Sequence, residues 1–182
     1  MITLESNERI YLLRRRHQIV LTFRIFPLIF ILIFFFILVF FFFFHKILWP
    51  EFFIERFPKI SVFKLNFVFA FLVSLVLPIF WCLIFLEVTK YYFTYWIITN
   101  RRIIEARLIG LFNVQYSSIE LDKIQDMTVK VRGLLPSIYH FGDLRIQTAA
   151  EKGEFILDQI RDPEVVKQVI FEAKIDYQKT KT

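Results

Sequence analysis

Two runs of twenty residues, Ile25–Phe44 and Phe67–Leu86, contain no charged side chain. At a rise of about 1.5 Å per residue, such a run crosses a hydrocarbon layer of roughly 30 Å, so the pattern predicts two transmembrane helices. Downstream the hydrophobic period shortens to two. Thr94–Thr99, Arg102–Gly110 and Val114–Leu121 read as strands. Met127, Val129 and Val131 alternate with Thr128 and Lys130, and Leu144, Ile146 and Thr148 with Asp143, Arg145 and Gln147. Phe155 and Leu157 start a sixth strand. Gly110, Gly133, Gly142 and Gly153 fall between these strands, where turns use them. After Asp162-Pro163, an N-cap followed by a proline at the first helical position, the period lengthens to 3.6. Val165, Val166, Val169, Ile170 and Ala173 then form one apolar stripe. The expected fold is a membrane α-helical hairpin plus a small mainly-β barrel or sandwich capped by a C-terminal helix.

Three regions follow from this pattern: a basic N-terminal segment (1–24), a two-helix transmembrane region with a short external loop (25–86), and an aqueous domain (88–182). The aqueous region is long enough for one small core, and its stripes predict that it folds without the spans. Composition fits, because lipid accepts the 25 phenylalanines that so short a soluble chain would struggle to bury. The first run is long for a cleaved signal peptide and is followed by His45, Lys46, Ile47, Leu48 and Trp49 rather than a small-residue site, so it reads as a retained anchor. Cys82, the single cysteine, lies in the second run, which rules out an intramolecular disulfide.

Basic residues set the expected orientation. Arg9, Arg14, Arg15, Arg16 and Arg24 precede the first run, and Lys90, Arg101 and Arg102 follow the second. The intervening loop carries Lys46, Arg56, Lys59 and Lys64, offset by Glu51 and Glu55. The Arg14–Arg16 cluster tips the balance, placing both termini in the cytoplasm and the loop outside the cell membrane. Trp49, Tyr91, Tyr92, Tyr95 and Trp96 stand where interfacial aromatic belts are expected. The loop itself, Ile47–Phe63, reads as an irregular connector rather than an amphipathic surface segment, because Pro50 and Pro58 interrupt any long helix.

The runs carry little chemistry. Ser74 and Cys82 are their polar side chains, and an ion path needs ionisable groups at depth. Pro78 lacks an N–H and presses on the carbonyl of Ser74, so a transmembrane kink is expected there. Static bending for packing is preferred to a hinge.

Several strings resemble the bacterial pleckstrin-homology (PH) domain family, in its membrane-anchored members with two N-terminal helices. They are Tyr95–Arg102, the Gly110 closing the next strand, Ile119–Asp126, Gly142–Ile146 and the Asp162-Pro163 helix start. The resemblance covers roughly residues 88–175. It implies a fold and a location more than an activity. Eukaryotic relatives recognise phosphoinositides through a lysine followed by a basic-x-Arg pattern. Here Lys90 is followed by Arg101-Arg102-Ile103-Ile104, with Arg107 alone, and that pattern is missing. Arg14, Arg15, Arg16, Lys90, Arg101 and Arg102 are instead the expected basic contacts to an anionic membrane surface.

No catalytic or cofactor constellation emerges. His17, His45 and His140 lack partners at metal-ligand spacing, and nucleotide-binding and hydrolase motifs are missing. Glu120, Asp122 and Asp126 read as surface charge. Much of the net charge of +6 clusters around the spans, where the membrane rather than nucleic acid accounts for it. The function expected is that of a non-catalytic membrane protein presenting a binding or assembly module, with no cofactor, metal or small-molecule substrate. Self-association or docking of a protein partner leads; binding of anionic lipid headgroups and service as an accessory subunit of a larger membrane enzyme or transporter are the alternatives.

Overall fold

The computed structural model describes residues 5, 8–44, 51–56, 62–110, 113–148 and 154–181. The chain forms two compact units, Thr22–Glu87 and a second made of Met1–Leu21 with Val88–Thr182.

The first unit is a helical hairpin. Helix α1 (Gln18–Phe44) enters it, the short α2 (Glu51–Arg56) lies in the connection, and α3 (Val62–Ser74) and α4 (Leu77–Phe93) return. The segments Gln18–Phe44 and Leu65–Phe93 are long and apolar enough to cross a membrane, and almost none of their apolar windows is buried. Antiparallel pairing is explicit: Phe43 meets Phe67 with ring centroids 5.1 Å apart, Phe42 meets Phe69 at 6.0 Å, and Phe35 stacks on Phe80 at 5.8 Å. At the open end Arg24 reaches Glu87 at 3.3 Å. The return helix is interrupted at Leu75–Val76, just ahead of Pro78. There the ladder tightens: the amide of Val76 donates to the Val73 carbonyl (3.1 Å) and that of Ile79 to Val76 (3.2 Å). The Ser74 hydroxyl turns back to the Phe71 carbonyl at 2.7 Å. Pro78 supplies no N–H to Ser74, which is the physical reason for a break at this point. The loop residues 45–50 and 57–61, with Trp49, Pro50 and Pro58, lie outside the described residues.

The second unit holds two antiparallel sheets. One has the order β1-β2-β3-β4, with β1 (Ile10–Arg15), β2 (Tyr95–Thr99), β3 (Arg102–Ile109) and β4 (Asn113–Glu120). The other has β5 (Ile124–Lys130), β6 (Phe141–Thr148) and β7 (Glu154–Arg161). A 3-10 turn, Leu121–Lys123, links the sheets, α5 (Leu134–Tyr139) joins β5 to β6, and α6 (Pro163–Lys181) closes the domain. The core takes Trp96, Ile98 and Ile103 from the first sheet and Leu144, Ile146, Leu157 and Ile160 from the second. Val166, Ile170 and Ala173 of α6 seal it, all fully buried.

Four differences from the sequence pattern have physical causes. Residues 1–24 are not only a basic segment, because Ile10–Arg15 forms a strand paired with β2, from Leu12↔Ile98 to Arg15↔Tyr95. Its sequence, four apolar or aromatic residues followed by two arginines, carries no alternation by two. The aqueous unit therefore does not begin at residue 88; it includes a strand from the other side of the hairpin. Strand β7 runs on to Arg161 past a bulge that shifts the register by one, from Leu144↔Leu157 to Gly142↔Ile160, with Gln159 at φ +52°, so its later residues break the simple alternation. Helix α5 has no counterpart in the sequence pattern; it is too short to show a period, and its Pro136 is tolerated in a first turn, where the missing N–H has no helical partner. On α6, Val165 is half exposed, so the buried stripe is narrower than the pattern suggested. The Asp162 carboxylate takes Arg161 Nε at 3.2 Å while its backbone carbonyl accepts the Val166 amide.

Candidate functional site

Both passages between helices and sheet occur at one end of β1 and β2. Arg16 and His17 separate β1 from α1, and Thr94 alone separates α4 from β2. The Arg15↔Tyr95 pair marks this junction end, and the Arg15 guanidinium lies 5.6 Å from the ring centre of Tyr92. His17 closes the start of α1: its Nδ1 accepts the Ile19 amide at 3.2 Å and its carbonyl accepts the Val20 amide at 3.0 Å. Its ring stacks on Phe141, centroids 5.4 Å apart. Burial, reinforced by the nearby Arg161, holds the His17 pKa below its ordinary value, against the pull of Asp162.

The sequence-predicted basic residues divide between two ends. Arg14, Arg15, Arg16 and Lys90 belong to the junction end. Arg101 and Arg102 lie at the opposite end of β2, a strand of about 16 Å at roughly 3.3 Å per residue. They are also engaged. Arg102 Nε and Nη2 each donate to Glu8 at 2.9 Å, Thr99 Oγ1 donates to the same carboxylate at 2.8 Å, and Arg101 pairs with Glu5. The Glu8 side chain has no exposed surface. The Arg102 hydrogen bonds hold the Glu8 pKa below its usual range, overcoming the opposing effect of burial, and Glu8 in turn raises that of Arg102.

A second polar cluster lies between the sheets. Arg16 reaches Asp158 at 3.1 Å, Arg107 reaches the same carboxylate at 3.3 Å, and Arg107 also holds Glu105 at 2.7 Å. A cleft of about 500 Å³ opens beside it between β4 and β7. The buried Nε atoms of Arg14 and Arg16 and the indole Nε1 of Trp96 have no hydrogen-bond partner among the described residues. Of the predicted membrane contacts, Arg16, Arg101 and Arg102 are thus tied to carboxylates within the domain. Glu5, Glu8 and Asp158 were not recognisable beforehand, because nothing local in the sequence marks a partner so distant.

The acidic residues near the 3-10 turn are surface groups: Glu120 pairs with Lys123 at 3.3 Å, and Asp126 accepts the Thr128 hydroxyl at 3.3 Å. Among the described residues no cluster of three His, Cys, Asp or Glu side chains is able to hold a metal ion. His140, in the left-handed region at φ +51°, ends α5 by donating its amide to the Pro136 carbonyl.

Two sheets packed on a C-terminal helix, with a pair of long apolar helices between the first strand and the second, define a PH-like protein of mixed apolar and aqueous architecture. The chain belongs to the bacterial PH domain family, whose family model matches residues 21–174 and so takes in nearly all of both apolar segments together with β2 to β7 and most of α6, though not β1. A solved structure that it is similar to is a DUF1696 family protein with a pleckstrin-homology domain from Shewanella loihica PV-4, at 16% identity and a TM-score of 0.37, covering 44% of this chain and 70% of that one. No curated protein matches the chain.

Proposed function

We propose that this protein is anchored in the cell membrane by its two apolar segments and presents its PH-like domain at the cytoplasmic face as a non-catalytic binding or assembly module. One observation carries the reading. The helical pair is spliced into the β1–β2 connection with two residues on one side and one on the other, so the domain has almost no tether and is held at the bilayer surface. Family membership supports a binding role over a catalytic one. Both termini lie in the cytoplasm, as the Arg14–Arg16 cluster favours. The module self-associates or docks a membrane protein partner.

Reporter fusions at Glu55 and after Thr182 test the topology: an external signal at Glu55 and a cytoplasmic one after Thr182 are expected, and a cytoplasmic Glu55 overturns the orientation. Purification of the full chain in mild detergent, with mass spectrometry of what accompanies it, tests the role. Defined homo-oligomers or a stoichiometric protein partner are expected. A monomer that retains only anionic lipid would favour headgroup binding instead.

A further inference from the structure

Helix α5 exposes an apolar surface that the domain core does not use. Leu134 is 83% exposed and Ile138 65%, and these two lie one turn apart on one row; Leu135 and Tyr139, each over 40% exposed, form the adjacent row, and Val131 extends the patch. Soluble surfaces rarely gather so many large apolar side chains on six residues without an occupant.

Position and charge say what the occupant is. The chain leaves α5 through His140 to Phe141, and Phe141 carries the stacked His17 ring at the foot of α1. The Asp162 amide donates to the His140 carbonyl at 2.8 Å, which fixes this corner to the start of α6. The C-terminus of α5 therefore lies on the order of 10 Å from the point where the chain enters the first apolar helix. That helix has 27 residues, about 40 Å at its usual rise, which equals a bilayer with its headgroups. On the membrane reading its first residue, Gln18, is at the headgroup boundary, and the C-terminus of α5 is within reach of that layer. Arg132, exposed and without a hydrogen bond or ion pair among the described residues, precedes the patch, with Lys130 two residues earlier.

We propose that α5 is a membrane-interface foot: Leu134, Leu135, Ile138 and Tyr139 insert into the boundary between headgroups and acyl chains, and Arg132 meets anionic lipid. Apolar side chains over a basic flank match the chemistry of that layer. The foot gives the domain a third attachment besides its two covalent ones, and so fixes which of its faces looks away from the membrane toward partners. This inference rests on the membrane reading above.

The test uses the full-length protein, with Cys82→Ser, in vesicles of phosphatidylethanolamine and phosphatidylglycerol. An environment-sensitive fluorophore is placed in turn at Ile138→Cys, at Phe36→Cys inside α1, and at Gln125→Cys on β5. Lipids carrying a spin label high on the acyl chain should quench the label at 138 about twofold more than that at 125, as expected for a side chain lying 5–10 Å deep. A label quenched at 36 but not at 138 overturns the foot and leaves the membrane reading standing. Failure to quench at 36 overturns the membrane reading and the foot with it. A label at 138 shielded from aqueous iodide yet untouched by the lipid quencher shows protein covering α5, and also overturns the proposal.

Discussion

Glu8 and Arg102 stand 94 positions apart in the chain, on either side of both apolar segments, and meet in a two-bonded fork. The carboxylate is fully covered, and Thr99 and the Glu5 amide complete its hydrogen bonds. This pair ties the N-terminal segment to the β2–β3 turn, so it joins two pieces of one domain that the helical hairpin separates.

Removing one side of the fork leaves the other buried and uncompensated. Arg102→Ala should cost about 2–3 kcal/mol of domain stability, and Glu8→Gln about 1–2 kcal/mol, because the amide keeps part of the hydrogen bonding. Thermal melts of the β signal in detergent measure both. Equal, negligible losses would mean that the fork contributes nothing to stability.

The same fork predicts acid sensitivity. The folded pKa of Glu8 is depressed, so its contribution is complete above the ordinary carboxylate value of 4.5 and is lost as pH falls through the lower folded value. Stability plotted against pH should therefore fall less steeply on the acid side in Glu8→Gln than in the wild type. Superimposable acid limbs would contradict this.

His17 acts in a higher window. Its folded pKa is also depressed, and for a base this means the neutral ring is favoured by folding. The contribution is present above 6.5 and declines as pH falls from there through the folded value. Protonation also removes the Nδ1 acceptor that caps the Ile19 amide. Between about pH 7 and about pH 5 the wild type should lose more stability than His17→Phe, which keeps the stack on Phe141 but not the titration. Melting temperatures of the two proteins across that range decide it.

The domain should need both of its pieces. Residues 88–182 alone lack β1, and with it Leu12, the Arg16–Asp158 pair and the Glu8 fork, so a molten or aggregating product is expected. Arg15 and Tyr95 are cross-strand neighbours, with Cα atoms about 5 Å apart, so a short turn joining residues 8–16 to 94–181 should restore a cooperative β-rich melt. A stable, monomeric 88–182 fragment would show that β1 is dispensable.

Within α6, Val165 and Ile170 give an internal control. Ile170→Ala, at a fully buried position, should cost about 2–4 kcal/mol, whereas Val165→Ala, half exposed, should change stability by about 0.5 kcal/mol or less. Comparable losses at the two sites would displace the helix face assigned to the core.

The amino-acid sequence by itself determined the two apolar segments, the break near Pro78, five of the seven strands closely and β7 at its start, and the closing helix. Each of these is written in a local period, twenty uncharged residues, alternation by two or a stripe at 3.6, and a local period is legible without neighbours. What the tertiary structure decided is non-local. Ile10–Arg15, four apolar or aromatic residues followed by two arginines, has no alternation by two, and becomes a strand because β2 offers a hydrogen-bonding edge and a core for Leu12. Arg101 and Arg102 read as a basic turn open to lipid, but Glu5 and Glu8 compensate them from beyond the hairpin. Arg16 likewise turns inward to Asp158. Charge along a chain states how much is present; only the fold states which charge meets its opposite.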